Sequence, residues 1–290
     1  MRTHRFGDIS VSKVVELEGL SFKPGFLLPD VTSPEVLAPH LHWLEPGYYS
    51  RQHDRFIMSM HSYVVRTSRH TILIDTCIGD DKPRHNKMWN MRKGTYLQDL
   101  AAQGVRPEDV DFVMCTHLHV DHVGWNTRLV DGRWVPTFPN ARYIFAKAEY
   151  EHWLAESQAG REQEPVFTDS VLPVMQAGRA DLVAMDHAID DEVLLEPSPG
   201  HTPGHICINL ASKGSRAVMT GDMMHHPIQI WEPHWSSAFC TDREASGRMR
   251  KFWVDKLCET DVTVFAAHFA APTAGKVRRN GQGTKFEFIA

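Results

Sequence analysis

The sequence predicts a layered α/β fold, and three observations predict it. Short apolar runs rich in β-branched residues recur along the chain and alternate with segments of helical periodicity. Several of these runs end at a histidine or aspartate, which is where rigid scaffolds place functional groups. The 290 residues contain no linker-like, low-complexity or strongly charged break and no internal repeat. Residues 1–290 are therefore expected to form one large domain with a sizeable core.

The elements follow in chain order. Ile9 to Leu17 alternates loosely and is expected to be a first strand. Residues from about 19 to 55 are too rich in Pro, Gly and aromatics for a regular element. They are expected to be a long loop serving as a lid, an oligomer contact or a plain cover of the sheet. Phe22, Phe26, Trp43, Tyr48 and Tyr49 suit either a roof over an apolar pocket or a contact with a second subunit. His40 and His42 are two apart but lack a strand before them, so they read as surface or lid histidines. Met58 to Val65 and His70 to Asp75 read as strands paired through a turn at Thr67 and Ser68. Thr95 to Gln103 reads as a helix with Leu97, Leu100 and Ala101 on one face, ended by Gly104. Val110 to Cys115 reads as a buried strand.

Beyond it, Tyr143 to Ala146 is expected to be a strand, Lys147 to Glu156 a helix, Glu162 to Thr168 a polar loop, and Ser170 to Gln176 another helix. Thr241 to Glu244, reading TDRE, is a capping-box pattern that opens a helix. In that helix Ala245, Met249, Phe252 and Leu257 recur near helical spacing, and Arg248, Arg250 and Lys251 are expected on a solvated face. Lys276, Arg278, Arg279 and Lys285 mark the tail as a basic edge strand, since such charges discourage unwanted pairing.

The strand Val110 to Cys115 feeds THLHVDHVGW, which packs His117, His119, Asp121 and His122 into six positions. Histidines two apart at a strand end point the same way, so His117 and His119 can offer nitrogens to one cation. Asp121 and His122 follow where the chain is expected to turn into a helix, and can face a second cation. The plainer alternative makes Asp121 a helix cap, but burying several histidines without partners is costly. One loop cannot close two coordination spheres, so further donors should end later strands. His201 in SPGHTPGH follows Val193 to Leu195, Asp222 in TGD follows Ala217 to Met219, and His268 in AAHF follows Val262 to Phe265.

Through these residues the chain resembles the metallo-β-lactamase superfamily, whose HxHxDH signature is complete here. The resemblance spans roughly Met58 to His268. It implies an αββα sandwich of two mixed sheets flanked by helices. It also implies that His117, His119 and His201 hold one metal, Asp121, His122 and His268 a second, and Asp222 bridges both. Asp75, ending an early strand in LIDTCIG, is expected to brace the metal loop. Zinc is the default for imidazole and carboxylate ligands, with manganese, iron or cobalt as alternatives.

Two such ions can share a water, acidify it into a bridging hydroxide and polarise an electrophilic oxygen. Asp121 is then placed to shuttle a proton to the leaving group. The layout is similar to the branch containing acyl-homoserine-lactone lactonases and methyl parathion hydrolase. Lactonases of that branch often carry a tyrosine three positions after the bridging aspartate. This chain has His225 there, closer to the methyl parathion hydrolase pattern. His225 either bonds the substrate or, with His226, packs against its loop. Trp231, Trp235 and Phe239 either wall an apolar pocket with Phe22 and Phe26, or serve as core or dimer contacts.

The expected function is hydrolysis of a small hydrophobic lactone or carboxylic ester, with phosphotriester hydrolysis or a catalytically silent metal-binding protein as alternatives. A formal net charge of -5 argues against nucleic acid as a partner. No apolar run approaches the roughly 18 residues that span a bilayer, and the opening segment lacks the apolar core of a secretory signal. Five scattered cysteines suit reduced thiols better than a disulfide framework, with Cys115 read as a small core residue. A cytoplasmic protein, and a homodimer through the long loop, are the resulting expectations.

Overall fold

Each metal-ligand candidate lies just past a strand, and the pairing of those strands decides which candidates emerge together. A computed structural model describes residues 3–162 and 164–289. Its first mixed sheet contains β1 (Thr3–Phe6), β2 (Ile9–Leu20), β3 (Tyr49–Ser50), β4 (Arg55–Arg66), β5 (Thr71–Ile74) and β6 (Phe112–Met114). A separate hairpin of β7 (Thr127–Val130) and β8 (Arg133–Pro136) follows, and β9 (Arg142–Ala146) and β10 (Ala180–Val183) complete the sheet. The order is β1-β2-β4-β5-β6-β9-β10, with β3 paired to β4.

β4 and β5 are antiparallel, whereas β5, β6, β9 and β10 run parallel. Their near-continuous apolar sequences, TILI, FVM and YIFA, are what a parallel sheet covered on both faces requires. Parallel strands need crossovers, and α1 (Tyr96–Ala102) and α2 (Lys147–Gln158) lie in two of them. Ile74 is in register with Met114, so Asp75 and the HxHxDH loop leave the sheet side by side at its carboxyl end, where open α/β sheets carry their sites.

The second sheet runs in sequence order: β11 (Val193–Pro197), β12 (Ile206–Ser212), β13 (Ser215–Met219), β14 (Thr263–Phe265), β15 (Ala274–Asn280) and β16 (Gly283–Phe288). β13 and β14 are parallel with Met219 opposite Phe265. Asp222 and His268, each three residues further on, therefore emerge at one end. The β11–β12 connection carrying His201 turns at that same end, because Ile208 pairs with Met219. The helix α3 (Arg243–Leu257) joins β13 to β14.

The chain divides into two compact units, one of Met1–Glu16 with Met60–His187, the other of Leu17–Ser59 with Ala188–Ala290. The first is centred on Val64, Leu73, Leu100, Val113, Tyr143 and Phe145. The second has one cluster around Val218, Trp253, Val264 and Phe286 and another around Leu27, Leu44, Phe56, Ile228 and Trp235.

Several expectations change. The stretch 19–55 contains helical turns at Pro24–Leu27, Pro34–His40 and Leu41–Leu44. Leu27, Leu28, Leu37 and Leu44 are fully buried there, at about 1.5–3 kcal/mol apiece, enough to order short turns against the entropy that a loop keeps. His40 is also buried and lies 3.3 Å from Glu232. On α1 the buried residues are Tyr96 and Leu100, while Ala101 is exposed.

Past His122 comes a 3-10 turn at Gly124–Asn126, not an α-helix. In α3 the cap is Asp242, which accepts from the Ala245 N–H at 2.9 Å; Thr241 is one residue too early. The buried face of α3 also differs from the expected one, as packing rather than the cap selects it: Arg250 is buried and Phe252 is 57% exposed. The basic tail forms β15, paired on both sides, and β16, which is the edge. The expected Glu162 to Thr168 loop gives way to a π-helical turn from Phe167, and Gln163 lies outside the described residues. The β7–β8 hairpin turns on Asp131 and Gly132, both at positive φ, a signal that Asp-Gly between apolar residues carries in sequence.

Candidate metal centre

In the first unit the HxHxDH loop is held from below by Asp75. Its carboxylate accepts the Thr116 N–H at 2.8 Å, the Thr116 hydroxyl at 2.9 Å, and His122 Nδ1 at 2.8 Å. A carboxylate only accepts, so the His122 proton sits on Nδ1 and its lone pair on Nε2. Thr116 spends its proton on Asp75, so its oxygen accepts from His117 Nδ1 at 3.1 Å. His117 thereby takes the same tautomer. The rings of His117 and His122 stand 4.1 Å apart, and His117 and His119 4.7 Å. Asp121 Oδ1 lies 3.8 Å from His122 Nε2.

Two further carboxylates fix this loop. Glu149 on α2, itself buried, accepts the Leu118 N–H at 3.0 Å and the Trp153 indole N–H at 2.7 Å, and Trp153 packs edge-on against His119. Glu16 accepts from the Ile78 and Gly79 N–H groups and from Trp125; burial pushes its carboxyl above the ordinary range. The backbone of residues 76–79 runs against 122–125 so closely that a Cβ on Gly124 would meet the Ile78 carbonyl at 1.9 Å.

In the second unit Asp222 is the hub. His268 Nε2 lies 2.8 Å from its Oδ1, and His201 Nε2 and His225 Nε2 lie 3.3 Å and 3.2 Å from its Oδ2. His268 Nδ1 donates to the Ser59 carbonyl at 3.1 Å, which again puts the lone pair on Nε2. His225 is buried, and that burial holds its imidazole below the usual histidine range even though Asp222 pulls the other way. His226 has a different task. Its Nε2 donates to the Tyr48 carbonyl at 3.0 Å and its ring stacks on Phe56 at 3.9 Å. Burial drives it down to about 3.

The donor set in each unit fits divalent metal. The imidazoles of His117, His122 and His268 turn Nδ1 onto protein oxygen and present Nε2, the arrangement that orients a histidine ligand and sets its tautomer. Histidines and carboxylates gathered in a largely buried setting suit a cation of charge two.

Of the aromatics named from sequence, Phe22, Phe26 and Phe239 pack together with centroids 5.4–6.0 Å apart. Phe26 and Phe239 are exposed. Trp231 stacks on Trp43 at 3.9 Å, and Trp235 is buried in the core. Sequence reasoning missed Glu149, whose only hint is a Glu four residues before a Trp on a helix, and Arg250, which carries no hint. The five cysteines are free thiols, and Cys115 is buried in the core. Among the described residues no helix is long and apolar enough to cross a membrane.

Mixed sheets interleaved with helices, with histidine–aspartate clusters at the strand ends, define a metal-binding α/β protein. The sequence model of the Metallo-beta-lactamase superfamily matches residues 59–261, and the chain belongs to that family and has its fold. It is 26% identical over 172 residues to an N-acyl homoserine lactonase of Bacillus sp, an overlap of 54% of this chain and 60% of the relative. The match thus spans about 60% of the length of that curated relative. Among solved structures, a hydrolase called AbOPH in the beta lactamase superfamily aligns with TM-score 0.79 at 23% identity, covering 99% of this chain and 97% of the other. AidC, a dizinc quorum-quenching lactonase in complex with its product, aligns at 0.75 and 19%, covering 100% and 97%. At these identities the likeness is one of fold.

Proposed function

We propose that this protein is a hydrolase that uses two divalent metal ions to cleave a small hydrophobic lactone or carboxylic ester. His117, His119 and His201 would hold one ion, Asp121, His122 and His268 the other, and Asp222 would contact both, zinc being the ion these donors suit best. The reading is carried by the tautomers: His117 and His122 in the first unit and His268 in the second turn Nδ1 onto protein oxygen and reserve Nε2. Family membership and relatives named as lactonases support it.

Bound ions supply acidity to a water and polarise the substrate's carbonyl. The chain's own residues supply the rest. Asp121 accepts a proton and passes it to the departing alkoxide. His225 Nε2 lies 3.2 Å from Asp222 Oδ2, and its Nδ1, buried with no hydrogen-bond partner among the described residues, would serve as a hydrogen-bonding group for the substrate. Phe22, Phe26 and Phe239 form an apolar wall for the acyl or aryl group. Residues 19–55, which carry Phe22 and Phe26, act as a cover of the substrate or as a dimer contact.

Histidine at position 225, in place of the lactonase tyrosine, favours phosphotriesters as the second reading. A parallel assay on γ-lactones, aryl esters and phosphotriesters, with metal analysis of the same sample, tests the order. Lactone or ester turnover scaling with metal content is expected. Dominant triester turnover reverses the order, and full metal occupancy with no turnover makes the protein a metal binder alone.

A further inference from the structure

The second unit contains a buried guanidinium whose N–H groups donate to backbone carbonyls and serine hydroxyls. Arg250 is fully buried on α3, and all five of its N–H groups are used. Nε donates to the Pro233 carbonyl at 2.8 Å. One terminal nitrogen donates to the Met223 carbonyl at 2.8 Å and the Ser246 hydroxyl at 3.4 Å, the other to the Trp235 carbonyl and the Ser236 hydroxyl at 2.7 Å each. A guanidinium offers five donors in a rigid fork, so this one is saturated and spans several loops at once.

Two of those bonds lead toward metal-ligand candidates. Met223 is the residue after Asp222, so its carbonyl anchors the turn that carries Asp222. Ser246 leads to His201: its hydroxyl lies 3.3 Å from Cys240 Sγ, and Cys240 Sγ lies 3.5 Å from His201 Nδ1. With the thiol proton directed at Ser246, the sulfur accepts from Nδ1, which assigns His201 the tautomer found at His117, His122 and His268. The backbone agrees with this wiring. The Thr241 and Asp242 N–H groups donate to the His201 and Gly200 carbonyls at 2.8 Å and 3.1 Å. A Cβ on Gly200, at φ +138°, would meet the Ser246 nitrogen at 2.5 Å. The His201 loop therefore lies directly on the first turn of α3.

We propose that Cys240, Ser246 and Arg250 form one positioning network that orients the His201 imidazole and fixes the Asp222 turn, so that α3 sets how tightly the second unit grips metal. The proposal rests on His201 and Asp222 being ligands, as read above. The three are positioning residues, acting through His201 and the Asp222 turn. The thiol acts as a hydrogen-bond bridge, and serine, which also accepts and donates, can replace it. Alanine breaks the bridge and frees the ring to rotate or to move its proton to Nε2.

The test compares the wild-type holoenzyme with Cys240→Ala, Cys240→Ser and Ser246→Ala. Zinc retention is measured against graded chelator, and the His201 tautomer is read by ¹⁵N–¹H correlation in apo protein labelled at histidine. Cys240→Ala is expected to weaken zinc binding by roughly 10-fold or more, the usual scale for loss of a ligand's outer partner, and Ser246→Ala by less. Cys240→Ser is expected to stay within about threefold of wild type, on the same scale, and the apo wild type to show His201 protonated on Nδ1. Zinc retention in Cys240→Ala equal to wild type overturns the proposal. If the wild type itself binds no zinc, the functional reading fails and the tautomer decides this one: a proton on Nδ1 in wild type that is lost in Cys240→Ala supports the network, and one unchanged by the substitution overturns it.

Discussion

Replacing Asp75 by asparagine isolates one proton. The carboxylate sits buried under the HxHxDH loop and accepts three hydrogen bonds, from the Thr116 N–H, the Thr116 hydroxyl and His122 Nδ1. Asparagine keeps the volume and one oxygen, which can still accept the Thr116 N–H. Its amide nitrogen then faces the other two partners. Thr116 adapts by rotating its hydroxyl, but His122 cannot present a proton to another donor. Its Nδ1 must become the acceptor, the ring proton moves to Nε2, and the lone pair meant for metal is lost.

A bond to a charged acceptor contributes about 1.5–3 kcal/mol and a neutral one about 1, so the apo protein should lose about 1–3 kcal/mol. That is a fall of roughly 2–10 °C in melting temperature for a chain of this size. Metal binding should weaken 10–100-fold. Thermal melts of the apo protein and metal retention in graded chelator measure the two effects separately. A lowered melting temperature with wild-type metal retention would refute the tautomer argument, leaving Asp75 as a brace alone.

Three more outcomes follow from the same geometry. Chelation should lower the melting temperature by about 5–10 °C, since metal at about 100 times its Kd contributes about 2.7 kcal/mol; superimposable melts before and after chelation would count against a bound metal. Gly124→Ala drives a methyl into the Ile78 carbonyl and should cost about 1–3 kcal/mol, the scale of overpacking, an expectation that an unchanged denaturation midpoint would defeat. His226, held down to about 3 by burial, favours the neutral ring in the folded state. Its contribution is complete above pH 6.5 and is lost as pH falls toward 3, amounting to a few kcal/mol at most. His226→Gln should therefore melt with a shallower decline between pH 6.5 and 4 than wild type, and parallel declines would remove His226 as the cause.

Much of the candidate site is legible in the chain because its proposed donors are local features of strand ends. His117, His119, Asp121 and His122 are neighbours in sequence, and the runs before His201, Asp222 and His268 are short, apolar and β-branched. The layered α/β class followed from the same alternation. Asp75 could be placed because β5 is an obvious strand. What failed was phase and context. The sequence predicts the helix α3 and its capping pattern, but the cap is Asp242 and, independently, packing against the second sheet's cluster chooses the face that holds Arg250, Trp253, Val254 and Leu257, leaving Phe252 outside. The turns in residues 19–55 escaped notice because Pro and Gly mask helical periodicity, and they are held by leucines that bury against distant residues.

The sequence by itself determined the candidate donors, their chemical type and the strands that carry them, since residue identity and local periodicity are properties of neighbouring positions. Only the tertiary structure decided which nitrogen of His117, His122 and His268 carries the proton, because that depends on Thr116, Asp75 and Ser59 standing against those rings. It also decided that Arg250 belongs inside. A guanidinium is tolerated there only when every N–H finds an acceptor, and four of the five acceptors, on Met223, Pro233, Trp235 and Ser236, come from segments that meet α3 only in the folded chain.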